Sequence, residues 1–457
     1  MSHGHEIHIK QEKFVFTQKS KKFSLTLIFI GLLMTLAGIT MAYNKDHKAN
    51  HKHAASTAVE SHHQSGSVNL VGVDTLRNDE SKHPIVEGHA KPWYTRVYLN
   101  LMLNGYYLLL ISICGLFFFA LQYISNAGWS TVLLRIPQAM STVFPIGALI
   151  ILAVFLIDGD NIYHWVHYEH QHLEKGAPGF DAILASKQWF LNTPTILVFL
   201  VAIPLVWFLF GKKLRTLSET EDIEGGVSFF KKSIRFSAAF TFFFGFSLSV
   251  ISWIVTMAID SHWYSTIFSI YNFATGWVSC ISVIALIVLY LKRNGYMDII
   301  TDEHIHDLGK FMFAFSIFWT YLWLSQYLLI WYANIPEESI YYYKRLEMPF
   351  KINFFINLIF NFLVPFLALM TRNNKRNPQI ITIVAVIILV GHWNDIWLML
   401  MPGSIDKSAS IGLLEIGMTL SFVGLFIYLV LNSLSKKGLI PVNHPYIQES
   451  AHHDVGI

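Results

Sequence analysis

Ten stretches of this 457-residue chain are apolar over about twenty residues each, and no other feature limits the fold so strongly. A hydrocarbon layer of about 30 Å is crossed by about 20 helical residues at ~1.5 Å each. Inside that layer a segment must pair its own backbone polar groups, so it crosses as a helix or joins a closed barrel. Runs of this length and continuity specify helices. The chain therefore reads as an all-α integral membrane protein with ten transmembrane helices. The runs are 23–43, 97–124, 139–157, 188–210, 238–259, 267–291, 308–331, 350–370, 380–401 and 411–434. Composition agrees: 53% of residues are hydrophobic and only 14% charged, outside the range of soluble domains.

Residues 1–22 form a polar tail. Run 23–43 exceeds the roughly 7–15-residue apolar core of a signal peptide, so it is expected to stay as an anchor. Residues 44–96 are rich in His, Ser and Lys without helical periodicity, and predict an outer loop that is either disordered or folded over a partner. Residues 130–138, with Arg135 and Pro137, predict a segment lying along the surface. Lys and Arg set the orientation. With the N-terminus inside, the inner segments hold 20 of the 33 basic residues and the outer segments 13. Both termini are thus expected on the cytoplasmic side of the membrane.

A faint internal repeat suggests how the spans group. Asn192 and Pro204 have the same spacing as Asn353 and Pro365, and Trp253 resembles Trp393 in its surroundings. Two four-helix bundles related as parallel repeats are expected, 97–259 and 260–401. The first helix flanks them, as does 402–457, which holds the last helix and a cytoplasmic tail.

Redox cofactors held by this chain alone are not expected. Cys114 and Cys280 form neither a C-x-x-C pair nor a C-x-x-C-H haem attachment. Of the 21 His only His392 lies well inside a run, whereas a membrane b-haem needs two at matching depth. His164, His167, His170 and His172 cluster in an outer loop without firm metal-ligand spacing, and no metal site is expected. Nothing points to a nucleic-acid partner.

The polar residues inside the apolar runs carry the functional signal. The ninth run contains Val-Gly-His-Trp-Asn-Asp-Ile-Trp over 390–397. His392 and Asp395 lie three apart on one face of a membrane helix. Placing an Asp there costs roughly 2.5–3.5 kcal/mol on the insertion scale, and such residues usually face a protein interior or a water path. The two are expected to share a proton. Asn353, Asn357 and Asn361 recur every four residues and predict a polar stripe linking that pair to the outer face. Ser316 and Thr320, with Ser325, add hydroxyls from the seventh run. Together they suggest a proton path; the alternative is interhelical glue at about 0.6 kcal/mol per hydrogen bond. At the outer ends, Asp158, Asp260, His262 and Tyr264 are candidates for a quinone head group, or simple solvated helix ends. Trp263 adds an aromatic rim. At the inner face His306, Asp307 and Lys310 open the seventh run, where Asp307 suits a helix N-terminus.

Two stretches resemble a known family. One is Asp307-Leu-Gly-Lys-Phe, continuing through Phe318-Trp319-Thr320-Tyr321-Leu322-Trp323 and Ser325-Gln326-Tyr327 to Trp331-Tyr332-Ala333-Asn334-Ile335-Pro336-Glu337-Glu338. The other is Asp260-Ser261-His262-Trp263-Tyr264-Ser265-Thr266, just before Tyr271. Both resemble the ActF-type membrane subunits of bacterial alternative complex III, within the wider NrfD/PsrC-like family. The resemblance implies a respiratory quinol:cytochrome c oxidoreductase in which quinol is the substrate of the complex. It implies partners: an ActC-type quinol subunit, an iron–sulfur subunit and haem c subunits, with lipids around them and a terminal oxidase downstream. Haem c and iron–sulfur clusters would reside in those partners. It also implies that His392 and Asp395 match a buried pair on a proton path. Two rival functions remain: a subunit that itself binds and oxidises quinol, and a secondary transporter. A scaffold whose polar residues only pack is a third reading.

Overall fold

The computed structural model describes residues 11–63, 91–171, 180–405 and 409–454, with side chains omitted at 45, 46 and 48–63. His172 and most of the 44–96 loop lie outside the described residues. The described chain is helical throughout, with one isolated bridge between Lys13 and Gly438 and no strand. Among the described residues ten helices are long and apolar enough to cross a membrane. Spans 1 to 10 are Gln18–Asn44, Trp93–Ile124, Thr131–Ile162, Thr193–Glu224, Val227–Ile259, Ile267–Arg293, Asp302–Ala333, Phe350–Ala368, Pro378–Ser404 and Leu413–Leu434. This is a multi-pass membrane protein.

Spans 2, 3, 4 and 5 pack as a closed ring, each on its sequence neighbour and span 5 back on span 2. Spans 6, 7, 8 and 9 do the same, and the rings meet where spans 2 and 5 touch span 6. Spans 1 and 10 pair along one side. Glycine permits their close approach: a Cβ on Gly31 would sit 2.5 Å from the Gly417 carbonyl, and one on Gly417 2.6 Å from the Thr35 amide. In lipid, where apolar surface drives no association, such backbone proximity is what holds helices together. Span 10 is tied to span 2 by Glu415, 1% exposed, which accepts from Arg96 Nε at 2.8 Å and Asn100 Nδ2 at 3.0 Å. The terminal segments meet at one end, where Leu439 donates to the Glu12 carbonyl and Met297 to the Glu12 carboxylate. That end is inner in the charge-based orientation.

Three expectations change. The first helix runs on to His63 where a loop was expected from residue 44. Extending an existing helix adds one hydrogen bond per residue fixed, without a new nucleus. Residues 130–138 do not lie on the surface: Ser130 and Thr131 are fully buried and Arg135 is 5% exposed. Arg135 pairs with Asp222 at the inner end of span 4 and donates to Gln138 Oε1 at 2.8 Å. That partnership compensates the burial of its charge. The residues that suggested the repeat do not occupy equivalent places. Asn192 caps span 4, accepting from the Thr195 amide, whereas Asn353 lies inside span 8. Trp253 lies near the end of its helix, Trp393 well inside span 9.

Proline shapes spans 8 and 9. Pro365 cannot donate to the carbonyl four residues back. Span 8 widens into a π turn over Ile359–Leu363 just ahead of it. Such single π turns are frequent at functional sites, and this one contains Asn361.

Candidate functional site

Asp395 lies in the outer half of span 9, nine residues before its end, or ~14 Å along the helix. It is 1% exposed and receives four side-chain donors. Tyr271 and Asn357 donate to Oδ1, the latter at 2.8 Å. Thr275 and Trp319 donate to Oδ2 at 2.9 and 3.1 Å. The donors come from spans 6, 7 and 8, so all four helices of the second ring converge on one carboxyl group. A carboxylate has about four acceptor positions, and four neutral donors fill them. The indole N–H can only donate, but the Tyr271 and Thr275 hydroxyls both donate and accept. A proton reaching the carboxyl group can therefore be accommodated by turning a hydroxyl.

From Asp395 the network runs inward. Asn361 Nδ2 donates to Asn357 Oδ1 at 2.7 Å, and both Asn are fully buried. Asn361 rests on Gly391, where a Cβ would come within 2.1 Å of its Oδ1. Asn353 does not extend this line outward. It is half-buried, and its backbone carbonyl accepts from Asn394 at 3.0 Å. The stripe thus joins Asp395 to the level of His392, not to the outer surface as its spacing suggested.

His392 is fully buried beside Trp319, with ring centroids 5.4 Å apart. It does not bond to Asp395, so the expected direct sharing of a proton between them is not seen. Among the described residues both of its ring nitrogens lack a protein partner, as do Ser316 Oγ and Asn361 Oδ1. Ser316 and His392 each lie about 21 Å along their helices. Those helices start side by side, joined by the Arg376–Glu303 ion pair. Buried polar groups rarely stay unpaired, and ordered water making about three hydrogen bonds is their usual partner. Thr320 is committed locally, donating to the Ser316 carbonyl at 2.8 Å. At the inner end Asp307 takes Lys310 at 2.6 Å and His453 at 2.8 Å, while His306 stands 3.7 Å away.

The outer candidates are not gathered into one site. Asp260 pairs with Arg345 at 3.0 Å and Lys344 at 3.4 Å. Arg345, 2% exposed, also donates to the carbonyls of Leu398, Met399 and Tyr341. The Leu398 carbonyl needs that donor because Pro402, four residues on, has no N–H. His262 points elsewhere, pairing with Asp181. Burial alone would raise the Asp181 carboxyl, but hydrogen bonds from His262, Leu184 and Ile183 outweigh it and hold it below its ordinary range. Burial, with His262 nearby, holds the His164 imidazole below its usual pKa. Asp158, 2% exposed, accepts from Asn161 at 2.7 Å at a kink ending span 3. Tyr264, with Lys187 over its ring at 5.5 Å, lines a cavity of about 120 Å3 with Ser261, Trp253 and Trp263. Asp158, Asp260 and His262 do not line it. Of the outer-loop histidines, His167 and His170 approach Asp160 at 3.7 and 3.3 Å. Among the described residues no group of three or more His, Cys, Asp or Glu could hold a metal ion.

Sequence reasoning missed Tyr271, Thr275, Trp319 and Arg345. The first two were detectable: Tyr271, Thr275 and Ser279 recur every four residues on span 6, as the asparagines do on span 8. Arg345 had little local signal, since apart from the Tyr341 carbonyl its partners, the Leu398 and Met399 carbonyls and Asp260, lie more than fifty positions away.

Fold and site together define a ten-span, all-α membrane protein with a buried carboxyl centre in its second ring. No protein-family model matches the chain, and no curated protein matches it.

Proposed function

We propose that this chain is an ActF-type membrane subunit of a quinol:cytochrome c oxidoreductase, alternative complex III, in a bacterial inner membrane. In this reading it supports assembly, and spans 6 to 9 carry a proton path centred on Asp395. One observation carries the proposal: Asp395 is buried deep in a membrane span while hydroxyl, amide and indole donors from three other spans converge on it. An intramembrane carboxyl group of this kind marks a proton or ion pathway more often than a packing contact. The two stretches that resemble the family lie on the same ring: Asp307 to Glu338 supplies Trp319, and Asp260 to Thr266 leads directly into the helix that supplies Tyr271.

The proposed path begins at Asp307 and its cluster on the inner face and rises along span 7 to the level of Ser316 and His392. Water bonded to the unpartnered Ser316, His392 and Asn361 atoms would carry protons to the amides and hydroxyls around Asp395. Asp395 accepts the proton, and the Tyr271 hydroxyl, lying outward of it, relays it: the hydroxyl turns outward, gives up its own proton on that side and takes the Asp395 proton on its oxygen, so that its charge is unchanged. Haem c and the iron–sulfur clusters belong to partner subunits in this assignment, and quinol is oxidised at the ActC-type subunit, beside the iron–sulfur subunit. A second reading, quinone binding by this chain, is favoured by the outer cavity, where the Trp253 and Trp263 indole N–H groups are buried without partners.

The test is purification of the intact assembly from native membranes through a tag on this chain. The proposal expects co-purification of haem c and iron–sulfur subunits with quinol-dependent cytochrome c reduction. A chain that leaves the membrane with no redox partner under conditions that preserve respiratory complexes would overturn it.

A further inference from the structure

At the inner end, the last turn of span 6, the connection between spans 8 and 9, and the first turn of span 9 line an open cavity of about 780 Å3. Lys292 and Arg293 enter it from span 6, Asn373 and Arg376 from the connection, and Gln379 from span 9, with Leu289 below. No carboxylate lines it. Two cations are partly engaged nearby: Lys292 with Asp302 at 3.2 Å, and Arg376 with Glu303. Donor capacity remains. Arg376 Nε is buried without a partner among the described residues. Arg293 is exposed and has no ion-pair partner among the described residues. The side-chain amides of Asn373 and Gln379 add neutral donors.

We propose that this cavity binds the phosphate of an anionic phospholipid of the inner leaflet. Guanidinium groups present paired N–H donors that match phosphate oxygens, and basic pockets between spans on the cytoplasmic side hold anionic head groups. The depth selects a lipid over a soluble anion, because the cavity lies at the ends of two membrane-crossing helices. Below Gln379, span 9 presents Ile383, Val386 and Val390, which are 60%, 47% and 49% exposed. These residues follow Gln379 at helical spacing and form one apolar stripe leading away from the cavity. The phosphate occupies the basic cavity and an acyl chain lies on the stripe. The site is separate from the proton path and does not depend on it.

The full chain is purified in detergent, stripped of lipid, and titrated separately with phosphatidylglycerol, phosphatidylcholine and inorganic phosphate under native mass spectrometry. Phosphatidylglycerol is expected to bind in preference to phosphatidylcholine. Arg293→Gln, at an exposed residue outside the packed core, is expected to weaken phosphatidylglycerol by about fivefold, the effect of one basic residue at a charged membrane surface. Lys292→Gln in addition should weaken it further while leaving phosphatidylcholine unchanged. Equal binding of the two lipids, or no effect of Arg293→Gln, would overturn the proposal. Inorganic phosphate displacing the lipid at equal concentration would also overturn it, by identifying a soluble-anion site.

Discussion

Arg345 closes the outer end of the second ring, and its removal gives a quantitative test of the packing. The side chain is 2% exposed, stacks 3.4 Å above the Tyr341 ring and makes an ion pair with Asp260. It also donates to three backbone carbonyls, at 2.9 Å for Leu398, 3.1 Å for Met399 and 2.7 Å for Tyr341. Arg345→Met leaves the Asp260 carboxylate with Lys344 alone and removes the donor from the Leu398 carbonyl. Breaking a buried ion pair by deleting one partner costs about 3–5 kcal/mol, and that is the expected loss. Pro402 supplies an internal control. Pro402→Ala restores the N–H that the Leu398 carbonyl lacks, so it should recover about 1 kcal/mol, one net hydrogen bond, beyond its effect in the wild type. The assay is unfolding of the four variants in one detergent, followed by tryptophan fluorescence and treated as a double-mutant cycle. A loss below about 1 kcal/mol for Arg345→Met, or strictly additive effects of the two substitutions, would refute the role given to the guanidinium group.

Two further outcomes follow from the packing. His444 is enclosed by Tyr123, Phe230 and Tyr446 and accepts from the Tyr446 amide at Nδ1. Burial, with the Arg135 charge adding to it, pushes its pKa down to about 4. The unfolded segment then binds a proton at a higher pH than the folded one, so stability falls as pH drops from about 6.5 through 4, by up to about 3 kcal/mol. His444→Gln should flatten that loss, as read by proteolysis of the C-terminal segment against pH; an unchanged pH profile would contradict the assignment. Gly391→Ala should displace Asn361, because the added Cβ would meet Oδ1 at 2.1 Å. Overpacking of this kind costs about 1–3 kcal/mol, measurable as a lower unfolding midpoint in detergent, and wild-type stability would show that the Asn361 contact is loose.

The spans were legible in the sequence because a run of apolar residues long enough to cross a bilayer has few other uses. Asp395 and Asn357 were legible because ionisable and amide groups are costly at that depth and stand out. Tyr271 and Thr275 were hidden because such residues are common in apolar helices, and nothing local shows that they meet a carboxyl group more than a hundred positions away. Asp260 and His262 were misleading neighbours: two residues apart in the chain, they turn to Arg345 and Asp181 respectively. Arg135 was misread for a related reason, since the carboxylate that permits its burial lies 87 positions further on. The Asn353 spacing fitted the stripe, but periodicity gives a face, not the extent of a hydrogen-bonded line.

The central claim is that Asp395 exchanges a proton during turnover. Asp395→Asn keeps the size of the side chain and removes ionisation. Its carbonyl can replace Oδ2 toward Trp319 and Thr275, while at the Oδ1 position the Tyr271 hydroxyl turns to accept from the amide, and the Asn357 and Asn361 side-chain amides flip so that Asn357 Oδ1 accepts there and Asn361 Oδ1 accepts from Asn357. The decisive measurement is proton release per electron in proteoliposomes holding the intact complex, wild type against Asp395→Asn, with subunit content checked in both. The account expects normal assembly, continued electron transfer and a lower proton-to-electron ratio in the variant. An unchanged ratio at normal turnover would contradict it and leave Asp395 as the hydrogen-bonded tie of four helices.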